Sequence, residues 1–360
     1  MASPGLKRRL LLLFGSTLAG LLFVEGGVRA VSSSSGDKPG DEGWRRRISA
    51  LNGALYRRSD DSRLIYEPAR GASIETPYGM AQFNSAGMRD DREHHLARDG
   101  RMRIALVGDS IVWGEELPLE ATLGSSLENE LGRERVEVLN FGVSGYDTHQ
   151  ERVWYDQAVL PFRPQVVVVV YCLNDVMIMS GPFNRYATVA EARLKDEQDR
   201  YLEGVAPIRA ETLDRTARED ERASAWKSLS RLRAMFQGWF YAASADYTDE
   251  YLIMYGRPDR VRRMERALAE LGASIRATGA AAHLVVSPIL RGWDNYRWRA
   301  IHAQVAAVGV AMGFVVHDPI TDWMAEEDPE RMGWDSLHYS RYGNTVLARS
   351  IATDLRASSP

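Results

Sequence analysis

The chain has 360 residues, 45% hydrophobic and 26% charged, which excludes disordered and collagen-like polypeptides and fits one large domain or two modest ones. Forty-five Lys and Arg against 49 Asp and Glu leave a formal net charge of −4, so there is no bulk basic field to hold phosphodiester backbones, and nucleic acid is not an expected partner. The single cysteine, Cys172, excludes an internal disulfide framework and a thiolate metal cage.

Near the start of the chain, Lys7, Arg8 and Arg9 precede the uncharged, mostly apolar run Leu10–Val24. Positive charge ahead of an apolar run is the pattern of an export signal, which keeps the N-terminus cytoplasmic and sends the rest across the membrane. The run is shorter than the roughly twenty residues of an ideal span. Two readings stay open: an uncleaved anchor extended around Glu25 by Gly26 and Val28, which is favoured, and a signal peptide cleaved after Ala30-Val31-Ser32. Either way the protein is expected in the cell envelope, anchored in the inner membrane facing the periplasm or secreted. Residues 1–40 form this signal segment and a polar linker (SSSSGDKPG, 32–40) with nothing to bury. Residues 41–98 read as an N-terminal extension packed on the next domain, opening with a helix over 45–57 that aligns Ile48, Leu51 and Leu55.

From residue 99 to 360 short apolar runs alternate with helical stretches, the rhythm of an α/β domain. Strands are predicted at Arg103–Gly108, Val136–Phe141, Gln165–Tyr171, Ala282–Ser287 and Phe314–Asp318, most of them continuously apolar as strands covered on both faces must be. Helices are predicted over Leu119–Leu131, Arg260–Thr278 and Tyr296–Met312. Right-handed crossovers then give a parallel sheet between two helical layers. About a hundred residues separate the third strand from the fourth, far more than one crossover needs. A mainly helical insertion at about 177–258 is expected there, at the rim where a lid or substrate wall would sit. Its aromatics, from Trp226 to Tyr255, are read first as core.

In such a sheet, function gathers beyond the carboxyl ends of the strands. Those ends carry Gly108-Asp109-Ser110, Gly142-Val143-Ser144-Gly145-Tyr146, Cys172-Leu173-Asn174-Asp175 and Pro288-Ile289-Leu290-Arg291, and beyond the fifth strand lies Asp335-Ser336-Leu337-His338. A serine hydroxyl is a poor nucleophile until a base takes its proton, and an imidazole does so best when a carboxylate holds its other nitrogen. Asp335 and His338, three residues apart, supply that pair locally, and Ser110 arrives from a distant strand. The Ser110 N–H, the Gly145 N–H and the Asn174 amide are three donors for a developing oxyanion. Asp109, Tyr146 and Arg291 are candidate substrate contacts.

These blocks resemble those of the SGNH hydrolases, the GDSL-type esterase superfamily, over about 101–357. Gly108-Asp109-Ser110 with Gly114 is similar to the nucleophile block, Asn140–Gly145 to the glycine block, Leu173-Asn174-Asp175 to the asparagine block, and Asp335–His338 with Gly343-Asn344 to the terminal block. The resemblance implies a three-layer, flavodoxin-like fold. It also implies Ser110 as nucleophile, His338 as base, Asp335 as orienting acid, and Ser110, Gly145 and Asn174 as the oxyanion hole. One departure stands out: Cys172 takes the place of the glycine that usually opens the asparagine block, where a larger side chain narrows the pocket or shifts the loop. Phe83–Asp90 (FNSAGMRD) is similar to the lead-in of membrane-anchored bacterial members.

The remaining candidates have plainer readings. Cys172 is expected to be a small buried hydrophobe, Asp175 to steady the loop of Asn174, and His149 to make a polar contact beneath the glycine block. His94 and His95, in a charged stretch, are expected to face solvent. His317 and Asp318 are adjacent in a strand and point to opposite faces, which argues against a local dyad. No HExxH, CxxC or acidic cluster points to a metal, and no cofactor is implied. The function expected is a cell-envelope serine esterase or acyltransferase acting through an acyl-serine on O-acylated carbohydrate or another small ester. The alternative is a non-catalytic envelope protein that uses the same cleft to bind glycan or a synthase complex.

Overall fold

The computed structural model describes residues 53–176 and 251–358, apart from 253, 294, 295, 325 and 327. The apolar run, the linker, most of the predicted helix over 45–57 and insertion residues 177–250 lie outside them. No helix among the described residues is long and apolar enough to cross a membrane.

The described chain opens with two antiparallel hairpins that the apolar pattern did not announce. In the first, β1 (Tyr56–Arg58) pairs with β2 (Tyr66–Pro68); in the second, β3 (Ser73–Thr76) pairs with β4 (Gly79–Gln82). The helical residues 53–55 end where β1 begins, two residues short of the expected limit at 57. Five strands follow: β5 (Met102–Gly108), β6 (Val136–Asn140), β7 (Val166–Cys172), β8 (Ala281–Ser287) and β9 (Val315–His317). They form one all-parallel sheet in the order β6-β5-β7-β8-β9. All five predicted strands are present within one or two residues, and the last is trimmed by Phe314 and Asp318.

Alternation along β7 explains the layering. Val167, Val169 and Tyr171 enter one apolar cluster, and Val166, Val168, Val170 and Cys172 enter the other, so every residue of the strand is buried. The first cluster is covered by the hairpins and by α3 (Thr148–Trp154), α4 (Pro258–Ala277) and α5 (Arg299–Ala311). The second is covered by α1 (Ser110–Trp113), α2 (Leu123–Leu131) and α6 (Arg341–Ser358). Burial of each such valine contributes about 1.5–3 kcal/mol, which is why a run too apolar for a solvent-facing strand is stable here. The predicted helix over Leu119–Leu131 is broken at Thr122, whose extended backbone starts α2 and whose hydroxyl accepts the Ser125 N–H.

Phe83–Asp90 joins the hairpins to the sheet. Asn84 Oδ1 accepts the N–H groups of Ala86 and Met88, and the Arg89 N–H donates to the Asn140 carbonyl at the end of β6. The Arg89 guanidinium lies 4.4 Å over the Trp113 ring and donates to the carbonyls of Met80 and Leu117. His94 corrects the solvent-facing expectation. Its side chain is 3% exposed and bridges Asp90 and Glu137 at 2.9 and 2.7 Å, while Glu137 also pairs with the buried Arg103. The acid and arginine that bury it come from β5 and β6, beyond the reach of a local pattern.

Candidate active site

Strand β5 ends at Gly108 and the chain turns at once into α1. Asp109 caps this helix by accepting the Ile111 N–H at 2.9 Å, and Gly114 closes it in a left-handed conformation. Ser110 is thereby lifted onto the carboxyl edge of the sheet, 7% exposed. After β6, Asn140 turns its amide onto the Val112 carbonyl, and Phe141 and Val143 donate to the carbonyls of Leu106 and Gly108. The glycine block is thus stitched to the strand and helix that present Ser110. Gly142 is required by close approach, because a Cβ there would lie 2.2 Å from the Trp113 nitrogen. Gly145 is required by its φ of +79°.

The acid-histidine loop arrives just before α6. His338 Nε2 is 3.0 Å from Ser110 Oγ, and His338 Nδ1 is 2.8 Å from Asp335 Oδ2. Asp335 Oδ1 also accepts the backbone N–H groups of Leu337 and His338 at 2.7 and 2.6 Å, which fixes the carboxylate before it meets the ring. Trp334 stacks on the imidazole with centroids 5.1 Å apart. Burial pulls the His338 pKa down, but the hydrogen bond and charge of Asp335, with Glu115 and Asp109 adding to them, hold it above 6.5. Burial works against ionisation of Asp335 too, yet its bonds from His338 and Leu337 keep its pKa below the usual carboxylate value.

Ser110, His338 and Asp335, remote along the chain, therefore meet in hydrogen-bonding order, and the Gly145 turn and Asn174 lie on the same rim. Asn174 follows β7 and points its amide at Asp109 Oδ2, 3.4 Å away. Asp175 accepts the Cys172 N–H at 3.1 Å and so steadies this loop. Cys172 is fully buried at the end of β7 within the second apolar cluster, and burial pushes its thiol pKa well up, which leaves it inert. Two candidate substrate contacts are corrected. Asp109 is 0% exposed with its oxygens turned to Ile111 and Asn174, and Tyr146 is 2% exposed with its hydroxyl donating to the Tyr66 carbonyl. Both support the rim from beneath. Arg291 lies with its guanidinium 5.8 Å over the ring of Trp298, itself a core residue. His149 sits half-buried on α3, where burial and Arg263 lower its pKa. His317 joins Asp354 and His283, whereas Asp318 joins His302, so the neighbours do separate.

Several groups beside the site were not legible in the sequence. Glu115 is buried, its backbone N–H donates to the Ser110 carbonyl at 3.2 Å, and burial raises its carboxyl pKa against the opposing hydrogen bond from Ser144. Glu151 on α3 is 1% exposed, with neither carboxyl oxygen hydrogen-bonded among the described residues, and burial raises its pKa and that of Asp175. The acid directly after Gly114 was a usable signal for Glu115; Glu151 and Trp334 had none. Among the described residues no group of three or more His, Cys, Asp or Glu is arranged to hold a metal ion. Of the insertion aromatics, Tyr251 packs edge-on against Trp298 and Tyr255 shares a 2.5 Å hydrogen bond with Tyr171, both as core.

The profile of the GDSL-like lipase/acylhydrolase family matches residues 106–346. Solved structures similar to this chain include the lipase/acylhydrolase from Enterococcus faecalis, at 16% identity over 71% of this chain and 96% of that one, TM-score 0.42. The acetyl xylan esterase AlAXEase aligns at 13% identity over 71% and 100%, TM-score 0.43. A catalytic mutant of the acetylxylan esterase Axe2 from Geobacillus stearothermophilus aligns at 14% identity over 72% and 96%, TM-score 0.42. No curated protein sequence matches.

Proposed function

The chain belongs to the GDSL-like lipase/acylhydrolase family and is an SGNH-type hydrolase, and from that premise we propose that Ser110 attacks the carbonyl of an O-acylated carbohydrate or another small ester. His338 Nε2 takes the hydroxyl proton, and the developing imidazolium is stabilised by Asp335. The tetrahedral oxyanion is received by the N–H groups of Ser110 and Gly145 and by the Asn174 amide, each worth about 3 kcal/mol of transition-state stabilisation. The imidazolium then returns its proton to the departing alcohol, leaving an acyl-serine. Water or a sugar hydroxyl, deprotonated by the same imidazole, attacks that ester and frees Ser110.

The observation that carries this reading is the unbroken chain of 2.8 and 3.0 Å from Asp335 through His338 to Ser110. The cell envelope is the proposed location, supported by Lys7, Arg8 and Arg9 ahead of Leu10–Val24. The test is a release assay on residues 37–360 with acetylated sugars, short-chain and long-chain esters side by side, with and without a sugar acceptor. Acetate release that Ser110→Ala abolishes is expected. A folded protein inactive on every ester contradicts the proposal.

A further inference from the structure

The Gly145 N–H belongs to the same peptide unit as the Ser144 carbonyl. A trans peptide is planar, and its N–H and C=O point in opposite directions, so whatever fixes the carbonyl also aims the N–H. The Ser144 carbonyl is fixed from outside the sheet: the Tyr66 hydroxyl, 78 residues earlier, donates to it at 2.6 Å. One peptide back, the Ser144 N–H donates to the Tyr56 hydroxyl at 3.3 Å.

The two rings form one unit. They sit on the paired strands β1 and β2, are 0% and 3% exposed for Tyr66 and Tyr56, and meet edge to face at 5.6 Å. The hairpin is itself tied to the loop it grips, because the Tyr146 hydroxyl donates to the Tyr66 carbonyl at 2.6 Å and the Gln150 amide to the Leu64 carbonyl at 2.7 Å. Gly145, with no Cβ and a left-handed φ, has little intrinsic reason to hold one peptide orientation over its flipped alternative. A flip would turn the N–H away from the rim and would break the bond to Tyr66. A donor on the carbonyl side also polarises the peptide and makes its N–H a stronger donor.

We propose that Tyr66 and Tyr56 are positioning residues of the oxyanion hole, through which the N-terminal hairpin holds the Ser144–Gly145 peptide with its N–H aimed at the reacting carbonyl. The proposal rests on the reading of Gly145 as an oxyanion donor. It makes the segment before the sheet a working part of the site and not only a packed cover.

The test is steady-state hydrolysis of p-nitrophenyl acetate by wild type, Tyr66→Phe, Tyr56→Phe, Ser110→Ala and Tyr255→Phe, well below each melting temperature. Tyr255→Phe serves as a control, because it removes a buried hydroxyl bond, to Tyr171, that does not touch the Ser144–Gly145 peptide. A positioning role lowers kcat roughly tenfold in Tyr66→Phe and severalfold in Tyr56→Phe with KM nearly unchanged, since the donor acts on the transition state. Tyr255→Phe lowers only the melting temperature. Tyr66→Phe that melts earlier yet keeps wild-type kcat has a structural role and overturns the proposal. If Tyr66→Phe fails to fold, Tyr56→Phe decides by the same split. Wild type no faster than Ser110→Ala overturns the esterase reading, and the clamp with it.

Discussion

Replacing Asp335 by Asn tests the division of labour inside the acid-histidine loop. One carboxylate oxygen accepts two backbone N–H groups, from Leu337 and His338, and the other accepts the imidazole Nδ1–H at 2.8 Å. Asparagine keeps its carbonyl oxygen on the two backbone donors, because turning it round would set NH2 against two N–H groups. Its NH2 then faces Nδ1, which must become the acceptor, so the ring proton moves to Nε2. That nitrogen is the one 3.0 Å from Ser110 Oγ, and once protonated it no longer accepts the hydroxyl proton. The expected loss in kcat is about 10⁴, equivalent to roughly 5.5 kcal/mol, with KM little changed. Stability should hardly move. Asp335→Ala, by contrast, also abandons the two backbone donors and should cost about 1–3 kcal/mol of stability. Stopped-flow acylation with p-nitrophenyl acetate, beside thermal melts of both variants, separates the effects. Asp335→Asn with more than a tenth of wild-type kcat would refute the tautomer argument.

Further expectations concern pH and packing. Because Asp335 holds the His338 pKa above 6.5, the acid limb of kcat/KM should have its midpoint above that value, with activity lost as pH falls through it; a flat rate from about pH 5 to 8 would argue against a histidine base. Glu151 binds its proton more tightly folded than unfolded, so the stability it contributes is full in acid and lost as pH rises from the unfolded value of 4.5 toward the raised folded one. Glu151→Gln should therefore match wild type in acid and melt progressively higher toward pH 8, by about 2–4 °C per kcal/mol relieved; an unchanged difference across this range would refute the assignment. Gly142→Ala places a Cβ 2.2 Å from the Trp113 nitrogen and 2.6 Å from the Val112 carbonyl carbon, and should cost about 3 kcal/mol in chemical denaturation together with most activity. A wild-type denaturation midpoint would show that the loop yields freely.

What was legible in the sequence depended on locality. The runs RIALVG and QVVVVVY announce buried strands because both their faces are apolar, and a parallel sheet places whatever follows such strands on one edge. That logic brings Ser110, Gly145 and Asn174 together without coordinates, and the spacing of Asp335 and His338 makes their pairing local. Tyr146 misled because a tyrosine after a glycine turn suits a pocket wall as well as a core, and the choice was made by Tyr66, far away in the chain. Asp109 misled for a related reason. Its side chain is fully buried and meets the Asn174 amide from the loop after β7, a partner remote in the chain. The hairpins are short strands of mixed polarity whose stability comes from packing on the sheet, so they leave no periodic trace.

The central claim is that His338 activates the Ser110 hydroxyl. It is tested most directly by exposing the folded protein to a fluorophosphonate and locating the adduct by mass spectrometry. A single adduct on Ser110, absent from Ser110→Ala and formed orders of magnitude more slowly in His338→Ala, is the predicted result. A native wild-type protein that stays unmodified, or that reacts at another residue, would contradict it.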